Sequence, residues 1–499
     1  MQTGVEFPAA FDGSRSTTAT GRAVVADALR AVDPAAARRT EAIKDWRSGY
    51  LTGIRDLVVA AAANPDAALA VSQAGLDSLH ERFVWTADGA DRPLLAALAG
   101  SDHEGMDTFE VIGRSQRSTE FSVPYRGQRL TGDSLHGQLD DWVARGIAEP
   151  TFADAVRAVM AHPEWLDLSD LQVVVVGAGA EMGPLRQLLD WGATVYAVDL
   201  PNEAVWNRIM ATAKGSAGRL AVPVPRGSLP LDSASDSRVA TVAGLDVIQQ
   251  TDAILSWLRE IDGPFTLGNY AYADGALHVK VSMAVDALGI LLAEETDDLS
   301  LAFLATPTDV FAVPHDAVEM SRDRWRQRRT RRFLQAPLRV ANLFEEAYRD
   351  TTVDDSGREV GIADCLVPQQ GPNYALAKRL QRWRALVARA GGQRVSLNVA
   401  PATRTRSVVK NRALAAAYAG AGRFGIEVFS PGTANTLMAA LLVRDLRDPQ
   451  SAANPQRQLH NPMDLFADAA NHGGLWRAAY EPRSVLSLAA VLGLIVRNA

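Results

Sequence analysis

The chain has 499 residues, of which 47% are hydrophobic and 22% charged, and this composition lies in the range of soluble globular proteins. The net charge of −7 argues against nucleic acid or an anionic membrane surface as a partner, because both attract basic proteins. The single cysteine, Cys365, excludes an internal disulfide framework, and the first residues lack the apolar run of a signal peptide. Together these features predict a cytoplasmic protein.

Residues 1–165 carry apolar residues at spacings of three and four, as in GRAVVADALRAV and TFADAVRAVMAHPEW. This periodicity predicts a helical N-terminal domain. Residues 431–499 are predicted to form a helical C-terminal extension. Its most apolar stretch, 485–496, is shorter than the roughly 20 residues that span a bilayer. We therefore expect a buried or interface helix there and no membrane span.

The pattern changes at residue 171 with LQVVVVGAGAEMG, where four consecutive valines predict a strand buried on both faces. Helical segments then alternate with the predicted strands ATVYAVDL, PFTLGNYAY, LSLAFLATPT and QRVSLNVAPAT. This alternation predicts an α/β domain over residues 166–430, with a doubly wound parallel sheet of the Rossmann type. The Gly/Pro/Ser-rich KGSAGRLAVPVPRGSLPLDSASDS is interpreted as an excursion between the second and fourth core strands, and residues 309–370 as an insertion.

The glycine turn after the first of these strands points to a nucleotide site. Gly177, Gly179 and Gly183 allow backbone N–H groups to approach a pyrophosphate at a helix N-terminus. Asp199 ends the second strand, where an acid accepts hydrogen bonds from ribose hydroxyls and repels a 2′-phosphate. The turn therefore favours NAD(H) over NADP(H). The same arrangement also serves S-adenosylmethionine-dependent methyltransferases, so two ligand classes stay open.

A second chemical signal lies in GPNYALAKRLQRW, where Tyr374 and Lys378 stand one helical turn apart. A tyrosine with a pKa near 10 is a poor acid or base at neutral pH, but a neighbouring ammonium group favours the phenolate and lowers that pKa. The spacing predicts a proton-transfer pair. The stretch GNYAYADGALHVKVSM, with Tyr270, Tyr272, His278 and Lys280, is a second candidate acid/base group.

The order of these motifs resembles the short-chain dehydrogenase/reductase family over roughly residues 171–410. The glycine turn, GLDV, TLGNYAY, FLATPT, NYALAK and NVAPAT follow one another as the corresponding motifs do in that family. The resemblance implies that Tyr374 is the general acid in reduction and the base in oxidation. It also implies that Lys378 lowers the pKa of Tyr374 and holds the nicotinamide ribose, and that Thr306 or Thr308 replaces the family's serine.

The resemblance further implies an NAD(H) cofactor, with NADP(H) as the alternative, and a small-molecule substrate, which the apolar segments suggest is hydrophobic. It assigns the cofactor site to Gly177, Gly179, Glu181, Met182, Gly183, Asp199, Asp246, Val247, Asn269, Tyr270, Ala271, Lys378, Pro401, Thr403 and Thr405. By analogy it also implies a homo-oligomer. The histidines are scattered without metal-ligand spacing, so we expect no metal.

Three departures from the family keep other functions open. Glu181 replaces the family's middle glycine, Ala402 replaces the glycine of the cofactor turn, and the candidate threonine lies far before Tyr374. The predicted function is an NAD(P)-dependent alcohol/carbonyl oxidoreductase. The alternatives are a methyltransferase and a non-catalytic nucleotide-binding scaffold or regulatory protein. The arginine-rich SRDRWRQRRTRRF is interpreted as a solvated helix face.

Overall fold

Strands and helices alternate through the middle of the chain, and helices dominate both of its ends. The computed structural model describes residues 3–101, 105–328 and 335–498. The strands are β1 (Gly4–Glu6), β2 (Val84–Ala87), β3 (Ala90–Pro93), β4 (Met106–Ile112), β5 (Val123–Tyr125), β6 (Gln128–Leu130), β7 (Gln172–Val176), β8 (Thr194–Val198), β9 (Arg219–Pro225), β10 (Phe265–Asn269), β11 (Leu299–Ala305), β12 (Val310–Val313), β13 (Thr352–Val353), β14 (Glu359–Asp364) and β15 (Val395–Val399).

The α-helices are α1 (Thr17–Arg30), α2 (Pro34–Glu41), α3 (Trp46–Ala61), α4 (Pro65–Arg82), α5 (Leu94–Ala99), α6 (Gly132–Ala144), α7 (Pro150–Ala161), α8 (Leu185–Asp190), α9 (Glu203–Lys214), α10 (Asp236–Ala240), α11 (Thr251–Leu258), α12 (Ala276–Glu295), α13 (His315–Gln327), α14 (Pro372–Ala390), α15 (Arg406–Lys410), α16 (Arg412–Gly420), α17 (Pro431–Arg447), α18 (Asp464–Ala467) and α19 (Pro482–Asn498).

Seven strands form one sheet in the order β15-β11-β10-β7-β8-β9-β4. All neighbours in it are parallel except β9 and β4, which are antiparallel. The predicted α/β class is therefore confirmed at the level of a mostly parallel sheet between helices. The strands predicted at the valine-rich and alternating stretches are present at β7, β8, β10, β11 and β15.

Strand β9 lies inside the stretch interpreted as an excursion, and its two prolines hid it. Its pairing with β8 ends at Ala221. Its second half is paired with β4, where Pro223 and Pro225 stand opposite Thr108 and Met106. Proline cannot donate to a sheet ladder, so it is tolerated where a strand needs fewer partners. The prolines shorten the contact of β9 with β8 and do not end the strand.

The sheet is covered on both faces, as the alternation of side chains along β7 shows. Val174 and Val176 lie in one hydrophobic core with residues of α12 and α14. Val173 and Val175 lie in the other core, with residues of α8, α9 and α17. Because successive side chains of a strand point to opposite faces, the run of valines fills both cores.

Both ends of the chain pack onto this centre. Helices α1, α3 and α4 contact α14, and β4, which lies in the segment predicted to be helical, completes the sheet. Among the described residues, one helix, α12, has the length and apolar composition to cross a membrane, but 67% of its apolar window is buried in the protein. This burial is typical of the core helix of a soluble protein. The division at residues 165 and 430 stays a prediction.

The predicted insertion forms a small antiparallel sheet, β12-β14-β13, together with α13. The described part of the arginine-rich stretch lies on α13, where Arg322 pairs with Glu359 and Arg326 with Asp323. These pairs agree with a solvated helix face. Residues 329–333 of the stretch lie outside the described residues.

Candidate active site

The predicted site residues meet at the carboxyl edge of the parallel strands. The glycine turn follows β7, the loop with Tyr270 and Ala271 follows β10, Thr306 and Thr308 follow β11, and Pro401 follows β15. Because parallel strands end at the same edge, their following loops lie side by side. Helix α14 begins beside these loops and carries the candidate proton-transfer pair.

The Thr306 side chain lies beside the Tyr374 phenol, where it favours a lower tyrosine pKa. The hydroxyls of Thr306 and Thr308 lie 2.9 Å apart, and the Gln370 side-chain amide donates to Thr308 at 2.9 Å. Thr308 thereby orients Thr306. A phenol and a threonine hydroxyl that lie side by side can both reach one substrate oxygen.

The lysine does not act on the phenol as the sequence suggested. Burial raises the pKa of Tyr374 well above its usual value, and the Asp309 carboxylate adds to the rise. The Lys378 Nζ lies 6.0 Å from the centre of the Tyr374 ring and donates to the Leu304 carbonyl and to Gln381. The expected lowering of the tyrosine pKa is therefore wrong in this structure, because desolvation outweighs a distant ammonium group. Tyr374 keeps its proton at neutral pH.

Lys378 itself has a shifted pKa. Burial lowers the pKa of Lys378 to about 8, the Arg382 guanidinium lowers it further, and Asp309 opposes the shift. Asp309 lies 2.6 Å from Arg379 and 3.0 Å from Arg382, and all three side chains are buried. The side of the site below Tyr374 therefore carries excess positive charge.

Part of the second candidate acid/base group lies against the first, whereas its Lys280 pairs with Glu6. The His278 ring stacks on Tyr374 with centroids 5.3 Å apart and an interplanar angle of 14°, and Tyr272 lies 6.2 Å from Tyr374. Burial lowers the pKa of His278 to about 3, so the imidazole is neutral. The Ala273 amide donates to Nδ1, whereas buried Nε2 has no hydrogen-bond partner among the described residues. The sequence identified both groups but not their contact, which depends on the packing of α12 against α14.

The glycine turn is well ordered by the protein's own hydrogen bonds. The amides of Gly177 and Ala178 donate to the Val198 carbonyl, Gly179 donates to Asp199, Ala180 donates to Gly177, and Gly183 donates to Ala180. A Cβ at Gly177 would lie 2.7 Å from the Ala271 backbone, so this glycine permits the two loops to touch. Most amides predicted to hold a pyrophosphate are therefore engaged.

Other groups close the same crevice. Both carboxylate oxygens of Glu181 contact Arg406, at its backbone amide (2.7 Å) and its Nε (2.9 Å). Asn435 of α17 donates to the carbonyls of Glu181 and Gly183. Helix α8 begins only at Leu185 and has six residues, so its dipole adds little at the turn. The predicted cradle does not fit a pyrophosphate in this conformation.

Most of the remaining predicted cofactor residues have structural partners of their own. The Asp199 Oδ2 accepts a hydrogen bond from the Gly179 amide, and Oδ1 accepts one from the Leu200 amide. Burial raises the pKa of Asp199. The Asp246 carboxylate accepts the amides of Ile248 and Gln249. The others are placed as follows: Val247 and Asn269 are buried, Met182 packs against the core, Tyr270 donates its amide to Val176, Thr403 donates its hydroxyl to Pro401, and Thr405 donates its amide to Thr403.

Comparison with family models, with curated proteins and with solved structures gave no significant match.

Proposed function

We propose that the protein is an oxidoreductase that interconverts an alcohol and a carbonyl, with Tyr374 as the proton donor. The placement of the Tyr374 phenol beside the Thr306 side chain, with Lys378 one helical turn further along α14, carries this proposal. Numbered along the chain, the six parallel strands lie in the order 6-5-4-1-2-3. This Rossmann order supports binding of a dinucleotide at the point where the strand order reverses.

The chain's own residues account for the proton transfer. In the reduction, a substrate carbonyl oxygen accepts hydrogen bonds from the Thr306 hydroxyl and the Tyr374 phenol, and the phenol then donates its proton. Tyr374 is protonated at neutral pH, as a proton donor must be, although its raised pKa makes it a weaker acid than a free phenol. The Lys378 Nζ lies 6.0 Å from the centre of the Tyr374 ring, so its ammonium stabilises the remaining phenolate only weakly. NAD(H), or NADP(H) as the alternative, would supply the hydride.

Replacing Tyr374 with phenylalanine tests the assigned proton donor. We expect Tyr374→Phe to lower the carbonyl-dependent oxidation of NADH or NADPH by about 10²–10⁴-fold, the usual contribution of a positioned acid. Its affinity for the cofactor, followed by thermal shift, should not change. The control is Tyr196→Phe, which removes a phenol that bonds Gln172 near the amino end of the sheet. Turnover retained by Tyr374→Phe would refute the proposed role.

A second candidate, a nucleotide-fold protein without catalysis, is favoured by the engaged amides of the glycine turn. A methyltransferase would use the same crevice, so the ligand must be tested directly. Thermal shift with NADH, NADPH and S-adenosylmethionine distinguishes them, because a ligand at 100 times its Kd stabilises a protein by about 2.7 kcal/mol. Stabilisation by NADH or NADPH, with no turnover on a broad panel of carbonyl compounds, would favour the non-catalytic candidate.

A further inference from the structure

The ion pair between Glu181 and Arg406 joins two loops that are not neighbours in the sheet. Glu181 belongs to the turn after β7, and Arg406 to the segment after β15, three positions away in the strand order. At 4.7–4.9 Å per strand, this separation is about 14 Å. Residues 400–412, which we call the strap, therefore cross above the carboxyl ends of β10 and β11.

The strap is strongly basic where it lies over the site. Arg404, Arg406, Lys410 and Arg412 are all exposed. Within the part of the chain that the structure describes, Arg406 is the one of these four whose side chain forms an ion pair, and its partner is Glu181. A run of cations on an exposed surface is commonly only solvated. The strap, in contrast, faces the glycine turn, and the Glu181 carboxylate of that turn binds Arg406.

Two backbone amides of the glycine turn lie next to this ion pair and are free to bind a ligand. Among the described residues, no hydrogen bond engages the N–H groups of Glu181 and Met182, whereas those of Gly177, Gly179 and Gly183 are engaged. A phosphate binds to such free amides and to guanidinium groups. A carboxylate offers the guanidinium the same pair of acceptor oxygens but less charge.

We propose that the Glu181 carboxylate occupies the place of a ligand phosphate, and that the strap binds the pyrophosphate of the cofactor once Glu181 turns away. Arg406 and Arg404 contact the phosphates, and the amides of Glu181 and Met182 supply the remaining donors. The proposal rests on the dinucleotide-dependent function proposed above. It explains why a glutamate stands at the position of a glycine: the side chain closes the empty site.

Removing the charge of Glu181 tests this substitution of carboxylate for phosphate. The titrations use NADH, NADPH and inorganic pyrophosphate, followed by isothermal calorimetry on the full chain. We expect Glu181→Gln to bind all three about fivefold to tenfold more tightly than the wild type, because an internal competitor for Arg406 is lost. Arg406→Gln should bind each of them at least about tenfold more weakly than Glu181→Gln, since the guanidinium is missing.

The matched control is Glu260→Gln. Glu260 lies 2.9 Å from the exposed Arg226 and precedes β10, so it is at the opposite edge of the sheet. The Glu260→Gln substitution removes the same charge from a similar ion pair. Its affinities for NADH, NADPH and pyrophosphate should equal those of the wild type. Equal tightening by Glu260→Gln would show a general charge effect and would overturn the proposal.

The result for Glu181→Gln separates this proposal from the proposed function. If NADH or NADPH binds the wild type and its turnover depends on Tyr374, but Glu181→Gln does not bind more tightly, the strap proposal fails and the oxidoreductase stands. If Glu181→Gln binds pyrophosphate and dinucleotide tightly without any turnover, the phosphate site stands and the oxidoreductase fails. Absence of binding by every variant overturns both.

Discussion

At the scale of single residues, burial decides the protonation states in the candidate site. Tyr374 and Lys378 both favour their neutral forms, so the pKa of the acid rises and that of the base falls. The two pKa values therefore move apart. The sequence analysis had expected the pKa of Tyr374 to fall. A site of this kind stores a proton on the tyrosine and can lose one from the lysine near pH 8.

The lowered pKa of Lys378 predicts a pH dependence of stability. The folded pKa of about 8 lies below the value near 10.4 of an unfolded lysine, so between these pH values the unfolded state binds more protons. The free energy of unfolding should therefore rise between pH 8 and roughly pH 10. We expect Lys378→Met to reduce this rise, and exposed Lys44→Met to leave it unchanged, in urea unfolding at pH 7.5 and 9.5. An identical rise in Lys378→Met would contradict the assignment.

The sequence predicted that these site residues lie near one another, but not how their surroundings shift their pKa values. Tyr374, Lys378 and Thr306 could be found because they follow a strand end or a helix start, which are local signals. The effect of Lys378 on the pKa of Tyr374 could not be predicted. It depends on burial and on the 6.0 Å between the Lys378 Nζ and the Tyr374 ring centre. The contact of Glu181 with Arg406 was equally hidden, because no local pattern relates the two loops.

At the scale of elements, a buried carboxylate ties three helices together on one face of the sheet. Asp286 of α12 accepts two hydrogen bonds from Arg384 of α14, at 2.7 and 2.9 Å, and lies 2.7 Å from Nε2 of His80 on α4. These partners lower the pKa of Asp286 far below its usual value despite its burial. The pairing fixes the register of α14, and with it the position of Tyr374 over β11.

Replacing this carboxylate by an amide should be costly. Asp286→Asn leaves the Arg384 guanidinium without its countercharge, and removal of one partner of a buried ion pair costs about 3–5 kcal/mol. We expect the free energy of unfolding in urea to fall by about 3 kcal/mol. Asp297→Asn, an exposed position in the loop after α12, should change it by less than about 0.5 kcal/mol. A loss below about 1 kcal/mol for Asp286→Asn would mean that packing alone holds the three helices.

The elements themselves divide into those with a local signal and those without one. Strands β7 and β8 are buried in the middle of the sheet, and their apolar residues allow them to be predicted directly. Strand β9 has Pro223 and Pro225, and the half of the strand that contains them is paired with β4. The pairing of β9 with β4 joins segments more than 100 residues apart in sequence, and such contacts leave no periodicity to detect.

At the scale of the whole molecule, both hydrophobic cores draw residues from distant parts of the chain. The core that contains α12 and α14 includes Val5 and Trp476, and the other includes Val111 and Val443. The N-terminal helices cover α14, while α17 near the C-terminus reaches the glycine turn through Asn435. The site is thus supported by segments that the sequence assigned to three separate domains.

This sharing of cores makes the predicted division at residue 165 testable by truncation. In residues 166–499 alone, β9 would lose its partner β4, and Leu376, Leu380 and Trp383 of α14 would lose the cover of the N-terminal helices. Exposed apolar surface and an unpaired strand edge favour aggregation over cooperative folding. We therefore expect the full chain to unfold in one transition that coincides by circular dichroism and tryptophan fluorescence, and residues 166–499 to show none. A soluble truncated chain with its own sharp transition would instead support an independent N-terminal domain, and the full chain should then unfold in two steps.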